Sequence, residues 1–127
     1  MSHQFVVHIE DRPGALSRLT HALAVHGIDI HHLACVGSGA IGYVILVVDR
    51  DDDARSALTG AGYAFEEGQP LMVMIDDRPG ALAELSERLA AAGVNIHSLL
   101  VQDRRSGQAD VSLTVDDVAR ARAALGQ

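Results

Sequence analysis

Asp11-Arg12-Pro13-Gly14-Ala15-Leu16 occurs twice: the same six residues return as Asp77-Arg78-Pro79-Gly80-Ala81-Leu82, 66 positions on. Each copy follows a short apolar run, Phe5-Val6-Val7-His8-Ile9 or Leu71-Met72-Val73-Met74-Ile75. Such runs read as strands. Each copy also opens a segment with apolar residues at helical spacing: Leu16, Leu19 and Leu23 in one, Leu82, Leu85 and Leu89 in the other. The unit is therefore strand, tight Pro-Gly turn, helix. Pro13 suits the first helical turn, where its missing N–H costs nothing, and Asp11 is placed as an N-cap or the residue before it. Such a turn leaves backbone N–H groups unpaired at a helix start, where a small anion can sit.

Outward from the hexapeptide the likeness continues. Between residues 7 and 33, fifteen positions are identical 66 residues later, among them Ile9, Leu19, Leu23, Gly27, Ile30, His31 and Leu33. Beyond the following hairpin the offset becomes 67, as Asp49/Asp116, Arg55/Arg122 and Leu58/Leu125 show. The chain is a duplication, and its boundaries are read as residues 1–68 and 69–127. Gly27 and Gly93 stop the first helices. Ile28 to Val36 and Val94 to Val101 read as half-buried strands. Ile41 to Val48 is apolar at nearly every position, which suits a central strand. Asp49 to Asp53 places acids at the start of a second helix, the favourable end for them. Tyr63-Ala64-Phe65 reads as a short last strand and Glu66 to Pro70 as a linker. Asp103 to Gln108 reads as a polar hairpin turn, and Val118, Ala121 and Leu125 as the inward face of the final helix.

Each repeat is thus β-α-β-β-α-β, the ferredoxin-like order, with antiparallel sheets and helices on one face. The second copy stops at Gly126-Gln127, so its sheet is expected to lack the last strand.

Composition narrows the function. A net charge of -7 without any basic cluster disfavours nucleic acid and anionic membrane surfaces. Aromatics are only 3% of the chain, leaving few rings for bases to stack on. Cys35 is the sole cysteine, so no internal disulfide is possible and a cytoplasmic location is expected. The N-terminus carries no signal-peptide pattern. His31 and His32 are adjacent and point to opposite faces of a strand, so a shared metal with Cys35 is not expected. No nucleophile–base motif, phosphate loop or dinucleotide fingerprint is present, so neither catalysis nor a cofactor is expected.

The two hexapeptides, taken with Gly27-Ile28-Asp29-Ile30 and Gly93-Val94-Asn95-Ile96, resemble the ACT domain. This is a small regulatory module of ferredoxin-like fold that senses amino acids. The resemblance covers essentially the whole chain, twice, with no catalytic domain attached. It implies a stand-alone tandem regulatory protein that binds a free amino acid near the first turn, often at an interface between modules. It places Asp11 and Asp77 at the site, together with Asn95 and its counterpart Asp29. The N–H groups of Gly14, Ala15 and Leu16, or of Gly80, Ala81 and Leu82, would receive an α-carboxylate. The side chains of Asp11, Asp29, Asp77 or Asn95 would accept from an α-ammonium. Asn95 with the second turn is the favoured pair, because Asn both donates and accepts. Serine-binding members carry Asn where this chain has Asp11 and Asp77, and a polar residue where it has Ile9 and Ile75. Pairing of the modules, a homodimer, and a partner enzyme or regulator complete the expectations. The alternative is a ligand-independent interaction module or a regulatory subunit of an amino-acid-metabolism enzyme.

Overall fold

The computed structural model describes residues 3–127. The reading of the N-terminus rests partly on Met1 and Ser2, which lie outside the described residues. The chain divides into two compact units, Met1–Gln69 and Pro70–Gln127.

The first unit runs β1 (Gln4–Glu10), α1 (Ala15–Ala24), β2 (Ile30–Ser38), β3 (Ile41–Val48), α2 (Asp51–Gly60) and β4 (Phe65–Gly68). Its four strands form an antiparallel sheet in the order β2-β3-β1-β4, so the apolar β3 is internal. Phe5 and Val7 of β1 and Val44, Leu46 and Val48 of β3 face α1 and α2. They bury Leu19, Leu23, Ala54, Ala57 and Leu58, with Tyr63 and Phe65 packed at the margin.

The second unit runs β5 (Leu71–Asp76), α3 (Ala81–Ala91), β6 (Ile96–Arg105), β7 (Gln108–Val115) and α4 (Val118–Ala124). Its sheet has three strands, β5-β7-β6, so β5 is an edge where β1 is internal. The registers coincide under the sequence offsets: Phe5 opposes Leu46, and Leu71 opposes Leu113. Leu71, Leu85, Leu89, Val94, Val111, Leu113 and Ala121 make its core. The architecture is α+β, two ferredoxin-like modules in tandem, the second without its last strand.

The structure corrects several local expectations. Both first helices begin one residue after the glycine: Gly14 and Gly80 are the N-caps, at φ 86° and 90°. Glycine enters this left-handed region freely, where other residues are strained. Asp11 is no cap. Its N–H donates to the Ala40 carbonyl, and its carboxylate lies over Gly37 in β2, where a Cβ would come within 2.4 Å of Oδ1. The buried helical stripe is Ala15, Leu19 and Leu23, whereas Leu16 is 36% exposed and Leu82 40%. At about 100° per residue, Leu16 stands about 60° round from Leu19, at the stripe's edge. Val118 is likewise exposed, while Ala121 is buried.

Glu66, Glu67 and Gly68 are strand and not linker, because β4 pairs Phe65 with Val7 and Glu67 with Phe5. Their side chains are held by a guanidinium and two imidazoles. Arg55 forks onto Glu67 through Nε and Nη2, His3 bonds its Oε2, and His8 meets Glu66 at 2.8 Å. The Arg55 guanidinium holds the Glu67 carboxyl down at about 2, against burial acting the other way. Asp103 to Arg105 also belong to a strand, leaving Ser106-Gly107 as a two-residue hairpin loop with positive φ at both. That is the twist which suits a hairpin.

Candidate functional site

The hexapeptide turns are built alike. In the first, Ala15 N–H returns to the Arg12 carbonyl at 3.2 Å and Arg18 N–H reaches the Gly14 carbonyl at 3.0 Å. In the second, Ala81 N–H meets Arg78 at 3.3 Å and Glu84 N–H meets Gly80 at 3.0 Å. Ala15 and Ala81 therefore spend their amides inside the turn. The next two, on Leu16 and Ser17 or on Leu82 and Ala83, have no backbone acceptor among the described residues. Together with Gly14 or Gly80 they make a small anion cradle at the positive end of the helix.

What surrounds the cradles differs. Arg12 pairs with Glu10. Arg18, one helical turn on, reaches back over the first turn: a Cβ at Gly14 would lie 3.3 Å from its Nη1. Arg18 has no ion pair or hydrogen-bonded side-chain partner among the described residues. Its counterpart in the second unit is Glu84, which takes Arg78 Nη2 at 2.9 and 3.1 Å, while Asp76 meets Nε at 3.4 Å. Hydrogen bonding to Glu84 is the largest cause that raises the Arg78 pKa above its ordinary value. Arg104 approaches Asp77 at 3.7 Å, at the register position where the first unit has Gly37. The first cradle thus faces a cation without a carboxylate partner, and the second a cation already held by two carboxylates.

Asp29 and Asn95 stand elsewhere. Glu10 lies beside Ile41 and Ile30 beside Val48, so Asp11 and Asp29 are at opposite ends of the sheet. Seven residues of β3 separate those ends, about 23 Å at a strand's rise. In the second unit Asp77 N–H joins Gly107 at one end, while Asn95 joins Asp116 at the other. Within a unit, neither turn meets its strand-2 residue.

A two-bond clasp fixes each of these residues. Asp29 N–H donates to Asp49 Oδ1 at 3.0 Å and Asp49 N–H returns to the Asp29 carbonyl at 3.1 Å. Asn95 and Asp116 repeat it at 2.9 and 3.1 Å. Asp49 is therefore a structural acceptor and not simply part of a solvated acidic helix start. The Asp29 side chain itself is exposed, with His31 Nε2 at 3.7 Å from Oδ2.

An open groove of about 490 Å³ runs along α1 from Ser17 past Thr20, His21 and Ala24 to Ile28, Asp29 and Ile30. Sequence reasoning missed Ser17 and Arg18 as part of the first turn's surroundings. The signal was available, because Arg18 against Glu84 reverses charge inside an otherwise matched stretch. Among the described residues, no cluster of His, Cys, Asp and Glu is placed to hold a metal ion, and no helix is long and apolar enough to cross a membrane.

Solved structures share this architecture. A protein from Bacteroides thetaiotaomicron superposes with a TM-score of 0.80 at 23% identity, over 98% of this chain and 86% of that one. The ligand-free regulatory subunit of aspartate kinase from Thermus thermophilus gives a TM-score of 0.68 at 20% identity, over 99% of this chain and 91% of that one. The corresponding subunit from Thermus flavus gives 0.69 at 20%, over 100% and 92%. At these identities the likeness is one of fold. No curated protein matches the chain in sequence. The family model for the ACT domain matches residues 3–60 and again residues 71–125, so both units, and the chain as a whole, belong to the ACT domain family.

Proposed function

We propose that this protein is a non-catalytic, cytoplasmic regulator that binds a free amino acid at the strand-to-helix turn. ACT domains are amino-acid-binding regulatory modules, and this chain is two of them. The observation that carries the reading is the first cradle. The N–H groups of Gly14, Leu16 and Ser17 donate to the α-carboxylate, and the unpartnered Arg18 adds a charge-assisted bond. This shifts the preference from the second turn to the first. In the second, Glu84 opposes an incoming carboxylate and already occupies the Arg78 guanidinium.

Because Asp11 and Asp29 lie about 23 Å apart in one unit, the ammonium end is taken by a second copy of the chain. That copy brings Asn95 or Asp29 to the cradle, which gives a homodimer with the ligand at an interface between modules. The fold shared with aspartate kinase regulatory subunits supports a second reading, a regulatory subunit docked on an enzyme of amino-acid metabolism without any ligand.

A thermal-shift screen of the amino acids separates the two. A native-state ligand raises the melting temperature saturably. Arg18→Glu should weaken the effective amino acid about tenfold or more, while Arg78→Glu should leave it nearly unchanged. No shift with any amino acid, in a protein that instead recovers a defined enzyme partner, sinks the ligand reading.

A further inference from the structure

β4 is only four residues long, and two of them are glutamates. Its backbone pairs with β1, and Phe65 packs on Phe5 at 5.9 Å between ring centroids. Beyond that its contacts are electrostatic. Glu67 lies in the fork of Arg55 and meets His3 Nδ1, and Glu66 meets His8 Nε2 at 2.8 Å.

The groups around the two imidazoles come from three other elements. His3 N–H donates to Asp51 Oδ2 at 2.9 Å, at the start of α2. The other oxygen, Asp51 Oδ1, is buried without a hydrogen-bond partner among the described residues. Arg55 is shared between Glu67 and Asp52. Arg50, nearby in sequence, is turned to Asp53 and to the carbonyls of His26 and Gly27. The His8 ring stands edge-on to Tyr43 of β3, 5.2 Å between centroids. Asp51, Asp52, Glu66 and Glu67 thus share one permanent cation, Arg55, and two imidazoles.

Histidine is the side chain whose charge ordinarily changes between about pH 5 and 8. Glu67 stays ionised throughout that range, because Arg55 holds its carboxyl at about 2. Two protons therefore decide whether these carboxylates meet one cation or three. A neutral imidazole keeps a hydrogen bond through one tautomer, but the bond is no longer assisted by charge. β4 is also the last element before the change of unit. While it is docked, only Gln69 and Pro70 separate it from β5. Once it is released, the free stretch runs from Phe65 to Pro70. We infer that β4 is a proton-operated latch: charged His3 and His8 keep it on β1, and their neutral forms loosen it and lengthen the tether between the units. The length of a flexible tether sets its reach. This inference does not depend on amino-acid binding at the turns.

The test uses the full chain and amide hydrogen exchange, corrected for the intrinsic rate at each pH. The His8 N–H donates to the Ala64 carbonyl at 2.9 Å and so reports the docked strand. Its protection should fall about fivefold between about pH 5.5 and 8, the weight of two partly exposed ion pairs. Amides between β2 and β3 should change little, and the His3 and His8 ring resonances should titrate over the same range. His3→Gln combined with His8→Gln keeps a donor at each place and removes both titrating groups. In that variant the His8→Gln amide should show low protection that no longer varies with pH. Three results overturn the inference: protection in the parent that is flat across the range, a fall that persists in the double variant, or an equal fall at β2 and β3, which would mean general loss of stability and not release of β4.

Discussion

Two turns of identical sequence are followed here by helices whose fourth residues are Arg18 and Glu84, and that difference decides what each turn can receive. The six shared residues specify the same backbone path, down to glycine caps at φ 86° and 90°. They do not specify the charge at the mouth, which comes from outside the motif. Arg18, Glu84, Gly37 and Arg104 all lie beyond the hexapeptide and all differ between the units. A motif that is sufficient for a fold is therefore insufficient for a ligand. The second contrast is the fourth strand, present beside β1 and missing beside β5. It goes with a change in the exposure of matched helix positions and with a shorter helix, seven residues in α4 against ten in α2.

The largest test of that contrast is in the core. Leu58→Ala empties a fully buried position and should cost about 3 kcal/mol, whereas Leu125→Ala, at the uncovered edge, should cost about 1 kcal/mol. Urea unfolding with hydrogen exchange resolved by unit measures both, and equal costs would mean that the β5 side is covered in solution. The next test separates the two strand-2 residues. Asn95→Ala should lose roughly 1.5–3 kcal/mol of ligand affinity, and Asp29→Ala less, by titration calorimetry with the amino acid that the thermal screen identifies. Unchanged affinity in Asn95→Ala beside loss in Asp29→Ala would reverse the assignment.

A smaller effect is set by pH. The Glu67 carboxyl is lowered from its ordinary 4.5 to about 2 by Arg55. Its contribution is therefore complete above pH 4.5 and lost as pH falls toward about 2. Glu67→Gln should lower the urea midpoint at neutral pH, and the gap to the parent should close through that window. Arg122→Gln, which breaks no pair, should show no such window. A gap that stays constant down to pH 2 would remove the ion pair as its cause. The smallest effect is expected from Gly37→Ala. The new methyl displaces the Asp11 carboxylate, a flexible group, so the cost in stability should stay below about 1 kcal/mol. Ligand affinity should change at the first turn alone, and a large loss of stability would show that Asp11 cannot move.

Much of this was legible beforehand, for definite reasons. The repeat, the alternating strands and the stripes through Leu19/Leu23 and Leu85/Leu89 reveal the element order, because burial on one face leaves a period in the chain. The missing strand was legible as a missing copy of Tyr63-Ala64-Phe65. Glu66 and Glu67 were not legible as strand, since local propensity argues against them and the pairing with β1 and the side-chain partners Arg55, His8 and His3 lie outside the local stretch. Leu16 was misplaced because it stands at the rim of a stripe whose centre is Leu19. The separation of Asp11 from Asp29 was invisible for another reason. Spacing along the chain does not say which end of a sheet a strand enters from, and that is decided by the pairing of β2 with β3.

The clasp between Asp29 and Asp49, repeated by Asn95 and Asp116, has a bearing on how such a duplicated chain can diverge. In each clasp the backbone of one residue is held by the side chain of the other. The labour is thus divided: Asp49 and Asp116 keep the strand entrance in place, and the side chains at 29 and 95 carry no share of it. Those two positions are free to explore new chemistry at almost no cost to the scaffold. Asp in one copy and Asn in the other is what that freedom looks like after a single step.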